Sequence, residues 1–206
     1  MQYLTWGINK PGTTEQRTSL IKKHWDFIAK YEKNLIARGP VIDEENLSVV
    51  IGSIHIVDLE TPAEAEDFTY NEPFAKAGIF KTIIISPFKL ELGRTQFDFI
   101  SNPDFLRFFL YCPAAMDSKE IKPELNEAHR IYCQKFDKHF ICHGSLMSKD
   151  NNWQGNIYFL EFANRIDIDQ FLESEPFAKA GIYDKIEVFR WTMGGPENLS
   201  ALGTMR

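Results

Sequence analysis

The eight residues Glu72-Pro73-Phe74-Ala75-Lys76-Ala77-Gly78-Ile79 recur unchanged from Glu175 to Ile182, 103 positions further along. Chance does not write the same octapeptide twice in a chain of this length. The surroundings repeat too. An acidic, helix-like run precedes each copy (Pro62 to Tyr70; Ile166 to Ser174), and an alternating apolar stretch follows it (Phe80 to Phe88; Tyr183 to Trp191). The chain is therefore two versions of one unit of about 100 residues, the size of a small domain. It divides into a first unit at 1–90, a connector at 91–104, a second unit at 105–192 and a tail at 193–206.

Periodicity gives each unit its elements. Met1 to Ile8 reads as a strand, ended by the turn Asn9-Lys10-Pro11-Gly12. Thr13 or Thr14 caps a helix expected to reach about Ala37, with Leu20, His24, Phe27, Tyr31 and Leu35 as its apolar stripe. Arg38-Gly39-Pro40 is expected to stop it, the glycine taking a left-handed C-cap. A short strand near Val41 and Ile42 follows. Val49 to Leu59 is a strand with Ile54 and Ile56 on one face and Ser53, His55 and Val57 on the other. Thr61-Pro62 opens a helix, and Lys81 to Lys89 is the last strand. The second unit repeats the plan: strands at 105–111, 141–147, 155–162 and 185–192, and helices from near Ser118 to His139 and from Ile166 to Ser174. The connector reads as an edge strand through Thr95 to Ile100, and the tail as irregular.

This is an α+β chain of two tandem ferredoxin-like βαββαβ units. Helices cover one face of each sheet only, and the last strand of the first unit, with Ile83, Ile84 and Ile85 in a row, is apolar on both faces. The two sheets are therefore expected to shield one another as an intramolecular pseudo-dimeric α/β barrel, which leaves a further homo-oligomer open.

Net charge is −6, so the chain lacks the basic face that nucleic-acid binding needs. Its charges are dispersed, and no apolar run nears the roughly 20 residues of a membrane span. Neither nucleic acid nor membrane is an expected partner; a small molecule is. Met1 to Gly7 reads as no signal peptide, and three cysteines without a C-x-x-C pair read as reduced thiols, so a cytoplasmic location is expected.

An offset of 105 lays the first long helix of one unit on that of the other and pairs His24 with His129 and Gly39 with Gly144. A core imidazole copied by duplication would give the same pattern. As a general base, an imidazole needs an acceptor on its other nitrogen, and Glu72 and Glu175 are the candidates, with helix capping as their bland alternative. His55, His139 and His143 form no expected metal site; His139 and His143 are four apart but read as surface. No cofactor is expected, although His24 is of the type that binds haem in some barrels of this kind.

Arg17-x6-His24, Arg38-Gly39-Pro40-x2-Asp43, Gly52-Ser53, Glu72-Pro73-Phe74-x3-Gly78 and Ser86-Pro87-Phe88-Lys89 together resemble a YciI-like (YCII-related) domain. The resemblance covers nearly all of the first unit and, through His129, Gly144 and the octapeptide, a more diverged second one. It implies a His–Asp site in a cleft, with His24 and His129 as the histidines and Glu72 and Glu175 in the place of the Asp. The change to Glu keeps the charge but adds about 1.5 Å of side chain. Lys122 stands for Arg17, Asn156 for Ser53 and Ser145 for Pro40, so if only one of the two catalytic pairs, His24 with Glu72 or His129 with Glu175, works, it is expected to be that of the first unit. The implied function is an enzyme of lyase, isomerase or dehalogenase kind acting on a small anionic molecule. His24 would move the proton, Glu72 would orient it, and Arg17, Ser53 and Asp43 would bind substrate. The alternative is a non-catalytic ligand-binding or interaction module with a decayed site.

Overall fold

The computed structural model describes residues 1–115 and 121–199. The first unit comprises β1 (Gln2–Asn9), α1 (Thr14–Ile28), β2 (Leu35–Ile42), β3 (Val50–Asp58), α2 (Pro62–Asn71), α3 (Pro73–Lys76) and β4 (Phe80–Leu90). The second comprises β5 (Leu106–Pro113), α4 (Pro123–Lys135), β6 (Phe140–Met147), β7 (Trp153–Phe162), α5 (Arg165–Ser174), α6 (Pro176–Lys179) and β8 (Glu187–Trp191). The expected helix start at Ser118 and the end of the tail, 200–206, lie outside the described residues.

All eight strands close into one antiparallel barrel, in the order β1-β3-β2-β8-β5-β7-β6-β4. Each unit supplies four neighbouring strands, and two seams join them. At one, Val41 and Ile42 of β2 face Trp191 and Arg190 of β8. At the other, Phe88, Lys89 and Leu90 of β4 face Leu146, Ser145 and Gly144 of β6. Closure leaves neither sheet with a free edge. Strand alternation sends Leu4, Trp6, Ile54, Ile56 and Phe88 inward from one unit, and Phe109, Ile157, Phe159 and Trp191 from the other. The mutual shielding of the sheets is thus one shared core, with Trp6 edge-on to Phe109 at 5.1 Å and Trp191 edge-on to Phe159 at 4.8 Å. The opposite faces carry the helices over separate cores, one built on Tyr3, Val57 and Phe68 and another on Phe108, Tyr158 and Phe171.

Several expected boundaries move. The first helix stops at Ile28 rather than Ala37, a 3-10 turn spans Ala29–Asn34, and β2 begins at Leu35. Leu35, Ile36 and Ala37 are all buried, on both faces of the strand, and a helix could not bury three neighbours in a row against one surface. The matching helix of the second unit ends at Lys135, and Phe140, the partner of Leu35, opens β6. Gly39 is consequently no helix cap. A Cβ there would sit 1.9 Å from the Thr192 carbonyl oxygen, and one on Gly144 would sit 2.1 Å from that of Lys89. The paired glycines let the strand of the other unit come close at each seam.

The connector does not form the expected edge strand. Thr95 instead caps a 3-10 turn, Gln96–Asp98, and the buried Gln96 accepts the Arg38 N–H at 2.6 Å, tying the connector to β2.

Candidate functional site

The buried stripe of α1 is Arg17, Ile21, His24 and Ile28, rotated from the one the apolar residues suggested. It faces the outer surface of the sheet, where alternation along β3 presents Ser53 and His55, both buried. The octapeptide closes the site from the side. Glu72 ends α2 and caps α3, with Pro73 in the first helical position, and Gly78 (φ 69°) and Gly181 (φ 65°) take the left-handed conformation that lets the chain turn into the last stretch of each unit.

Glu72 serves two partners with its two oxygens. Oε1 accepts the Ala75 N–H at 2.9 Å, and Oε2 lies 2.8 Å from His24 Nδ1. Capping and orienting a histidine are therefore one job here, and the cap fixes the carboxylate that the imidazole meets. The His24 ring stacks on Phe74 at 4.2 Å, and the Arg17 guanidinium also lies 4.2 Å from the centre of that ring. Burial pushes the His24 pKa below its ordinary value, and the charges of Arg17 and Arg38 add to this, while the bond to Glu72 opposes it. The imidazole is thus neutral near pH 7. With Nδ1–H donated to Glu72, its lone pair is on Nε2.

Arg17 donates through Nη2 to Ser53 Oγ at 2.8 Å, whereas its buried Nε and Nη1 have no hydrogen-bond partner among the described residues. Burial lowers its pKa to about 10, against the pull of Glu72, so it remains a cation near neutral pH. His55 lies 5.6 Å from His24, ring to ring, and burial together with His24, Arg38 and Arg17 holds it well below the usual histidine range. These groups line a cavity of about 20 Å³, room for one water molecule, which Arg38, Gly194, Gly195 and Leu199 also line.

Asp43 is not among them. Its Oδ1 accepts the N–H groups of Glu45 and Asn46 and closes the loop between β2 and β3. His55, Arg38 and the tail were missed as site residues. The spacing of two between Ser53 and His55 on one strand face was the available signal for the first; nothing in the sequence pointed to the tail.

The second unit rebuilds the dyad. His129 Nδ1 lies 2.6 Å from Glu175 Oε1, Glu175 also accepts the N–H groups of Phe177 and Ala178, and His129 stacks on Phe177 at 4.1 Å. Its surroundings differ. Lys122, in the place of Arg17, is exposed. Asn156 donates to the hydroxyls of Tyr158 and Tyr183, which lie 2.8 Å apart, so an amide stands where the first unit has Ser53 and a phenol where it has His55. Cys133 Sγ is 3.7 Å from His129 Nε2, and burial pushes its thiol up, which keeps it protonated. In place of a small cavity there is a cleft of about 920 Å³, lined among others by His129, Arg94, Arg130, His143 and Trp153. His143 and His139 are not the surface pair expected. His143 is buried, and His139 bonds the Glu161 carbonyl at 2.8 Å and stacks on Phe162.

A family model, the YCII-related domain, matches residues 1–89 and again residues 106–192. The chain belongs to the YCII-related domain family. Among its relatives is an uncharacterised protein of Haemophilus influenzae, 30% identical over 95 residues, which is 43% of this chain and 97% of that protein. A dehydrochlorinase of 5-chloro-2-hydroxyhydroquinone from Burkholderia phenoliruptrix AC1100 is 25% identical, with 43% of this chain and 94% of that one covered at a TM-score of 0.40. A mutant chlorite dismutase from Candidatus Nitrospira defluvii aligns over 98% of this YCII-related chain and 93% of its own, at a TM-score of 0.63 and 9% identity, a likeness of fold. No helix among the described residues is long and apolar enough to cross a membrane.

Proposed function

We propose that this YCII-related chain is a small-molecule enzyme that moves a proton on an anionic organic substrate, by chemistry of the lyase, isomerase or dehalogenase kind, in the first unit. The observation that carries the reading is the bond of 2.8 Å between His24 Nδ1 and a Glu72 carboxylate that the Ala75 N–H already holds in place. An oriented, neutral imidazole with its lone pair on the far nitrogen is the form of a general base. Glu72 acts through it as a positioning residue. Arg17 supplies a buried cation with donors to spare, beside Ser53, and would hold the anionic group. Asp43, committed to its loop, has no part in the reaction.

A second reading places the work at His129 and Glu175, and the cleft of about 920 Å³ favours it for a bulkier substrate. The test needs no knowledge of the product. The full chain is incubated in D₂O with a panel of small carboxylates bearing acidic C–H bonds and of chlorinated or hydroxylated ring acids, and deuterium uptake is followed by NMR. His24→Ala should lower exchange by about 10²–10⁴-fold, the usual worth of a general base, while His129→Ala leaves it unchanged. The reverse pattern selects the second reading. No exchange with any compound leaves the non-catalytic ligand-binding module.

A further inference from the structure

The two units continue alike beyond their last strands and then part. Glu91 N–H, just after β4, donates to the His143 carbonyl at 3.0 Å, and Gly194 N–H, just after β8, donates to the Arg38 carbonyl at 2.8 Å. Arg38 and His143 are themselves matched positions, 105 apart. Beyond this point Arg94 turns to the Asp137 carboxylate and the Phe140 carbonyl, and the cleft of the second unit stays open. On the other side Gly195 (φ 105°) reverses the chain. A turn closed by Asn198 N–H and Leu199 N–H on the Gly195 carbonyl then lies over the first unit's cavity. It brings Glu197 Oε1 to 2.9 Å from Arg38 Nη2 and buries Leu199 at 3% exposure.

We propose that residues 194–199 form a tethered plug on the first unit's site, and that the Glu197 carboxylate occupies Arg38 where the carboxylate of a small substrate binds. The inference rests on the anionic-substrate reading above. Three observations support it. The Arg38–Glu197 pair is half open to water on its Glu197 side, and ion pairs of that kind are weak, so a competing carboxylate can displace it. The cavity behind it holds Arg17, a buried cation with two nitrogens that have no hydrogen-bond partner among the described residues, which a second anionic contact would satisfy. At about 20 Å³ the cavity admits nothing larger than water until the plug lifts. A carboxylate entering by exchange with Glu197 would carry Leu199 off the cavity and bring its own body beside His24.

The probe is benzoate, with chloride as the control for ionic strength, titrated calorimetrically against the full chain while the His24 imidazole resonances are followed. Glu197→Gln removes the internal competitor at an exposed position and should tighten benzoate binding about tenfold, with the His24 resonances moving. Gly195→Ala should do the same from the other side, because its Cβ would lie 2.2 Å from Glu197 Oε1 at a φ that alanine tolerates poorly. Arg38→Gln should abolish the gain. If benzoate moves His24 with one affinity in the wild type and in both opened variants, the plug is refuted while the anion site stands. If no variant binds benzoate, the plug and the anionic-substrate reading fall together.

Discussion

The two halves of this barrel carry one turn sequence and one imidazole–carboxylate bond, yet one has a cavity of about 20 Å³ beside a buried arginine and the other a cleft of about 920 Å³ lined by Asn156 and Cys133. What is common lies in the octapeptide, in one helical position and in one glycine of the strand that follows that helix. What differs comes from elsewhere: strand residues two apart (Ser53 and His55 against Asn156 and Tyr158), the first turn of the helix (Arg17 against Lys122), and the segment that follows the last strand of each unit. Two identical chains pairing would have to keep both sites the same. Joined in one chain, each copy sends the segment after its last strand to the other, one lying over a cavity and the other leaving a cleft open, and the copies are free to diverge in access.

The largest expected effect strikes what the halves share. Gly39→Ala and Gly144→Ala each drive a Cβ into a backbone carbonyl of the opposite unit, which cannot swing aside as a side chain would. Each should cost more than about 3 kcal/mol in chemical denaturation, at the upper end of overpacking. The comparison sharpens if the costs are equal. It breaks if either variant unfolds at the wild-type midpoint, for then that seam does not hold the barrel.

A smaller difference is expected between the two acids. Glu72→Ala strips His24 and the Ala75 N–H of their acceptor, for about 2 kcal/mol. Glu175 accepts from two backbone N–H groups as well as meeting His129 and is wholly buried, so Glu175→Ala should cost up to about 3 kcal/mol. Equal losses would mean that the extra backbone bond of the second copy carries no weight.

The sequence made the barrel and the dyad legible for different reasons. Repetition marked the units without any energy argument, and strand alternation sorted Ile54 and Ile56 from Ser53 and His55, because a period of two leaves no freedom. The helix boundaries were not legible. A stripe through Leu20, His24, Phe27, Tyr31 and Leu35 satisfies helical spacing, but Leu35 is needed by β3 in a strand, and long-range pairing overrode the local period. Arg17 and Asp43 show the limit for the site. Both carry charge beside the motif, and only the register of the fold puts one under His24's layer and the other in a loop. The plug was invisible because it depends on where a barrel seam delivers the chain.

The last contrast is in proton uptake, and its sign follows from the burial of the histidines. The first unit buries His24 and His55, the second His143, whose pKa burial and the neighbouring His129 lower to about 3. Around the first pair stand Arg17, Arg38 and Glu72; around His143 stand His129, Asp137 and Arg94. Each folded value lies below the ordinary 6.5, so the unfolded chain binds more protons between the two. Stability is complete above pH 6.5 and is lost as pH falls. Between pH 6.5 and 5 carboxylates of ordinary pKa stay ionised, and a histidine that remains neutral when folded contributes about 1.5 kcal/mol of loss over that window. His143→Gln should remove about that much from the pH dependence measured by denaturant unfolding. His55→Tyr, which installs the second unit's residue, should remove a similar amount. His24 should yield less, because Glu72 favours its protonated form and holds its value nearer to ordinary. A slope unchanged by His55→Tyr would mean that this imidazole charges within the folded site. The neutral imidazoles that distinguish the first unit's cavity would then be lost on mild acidification.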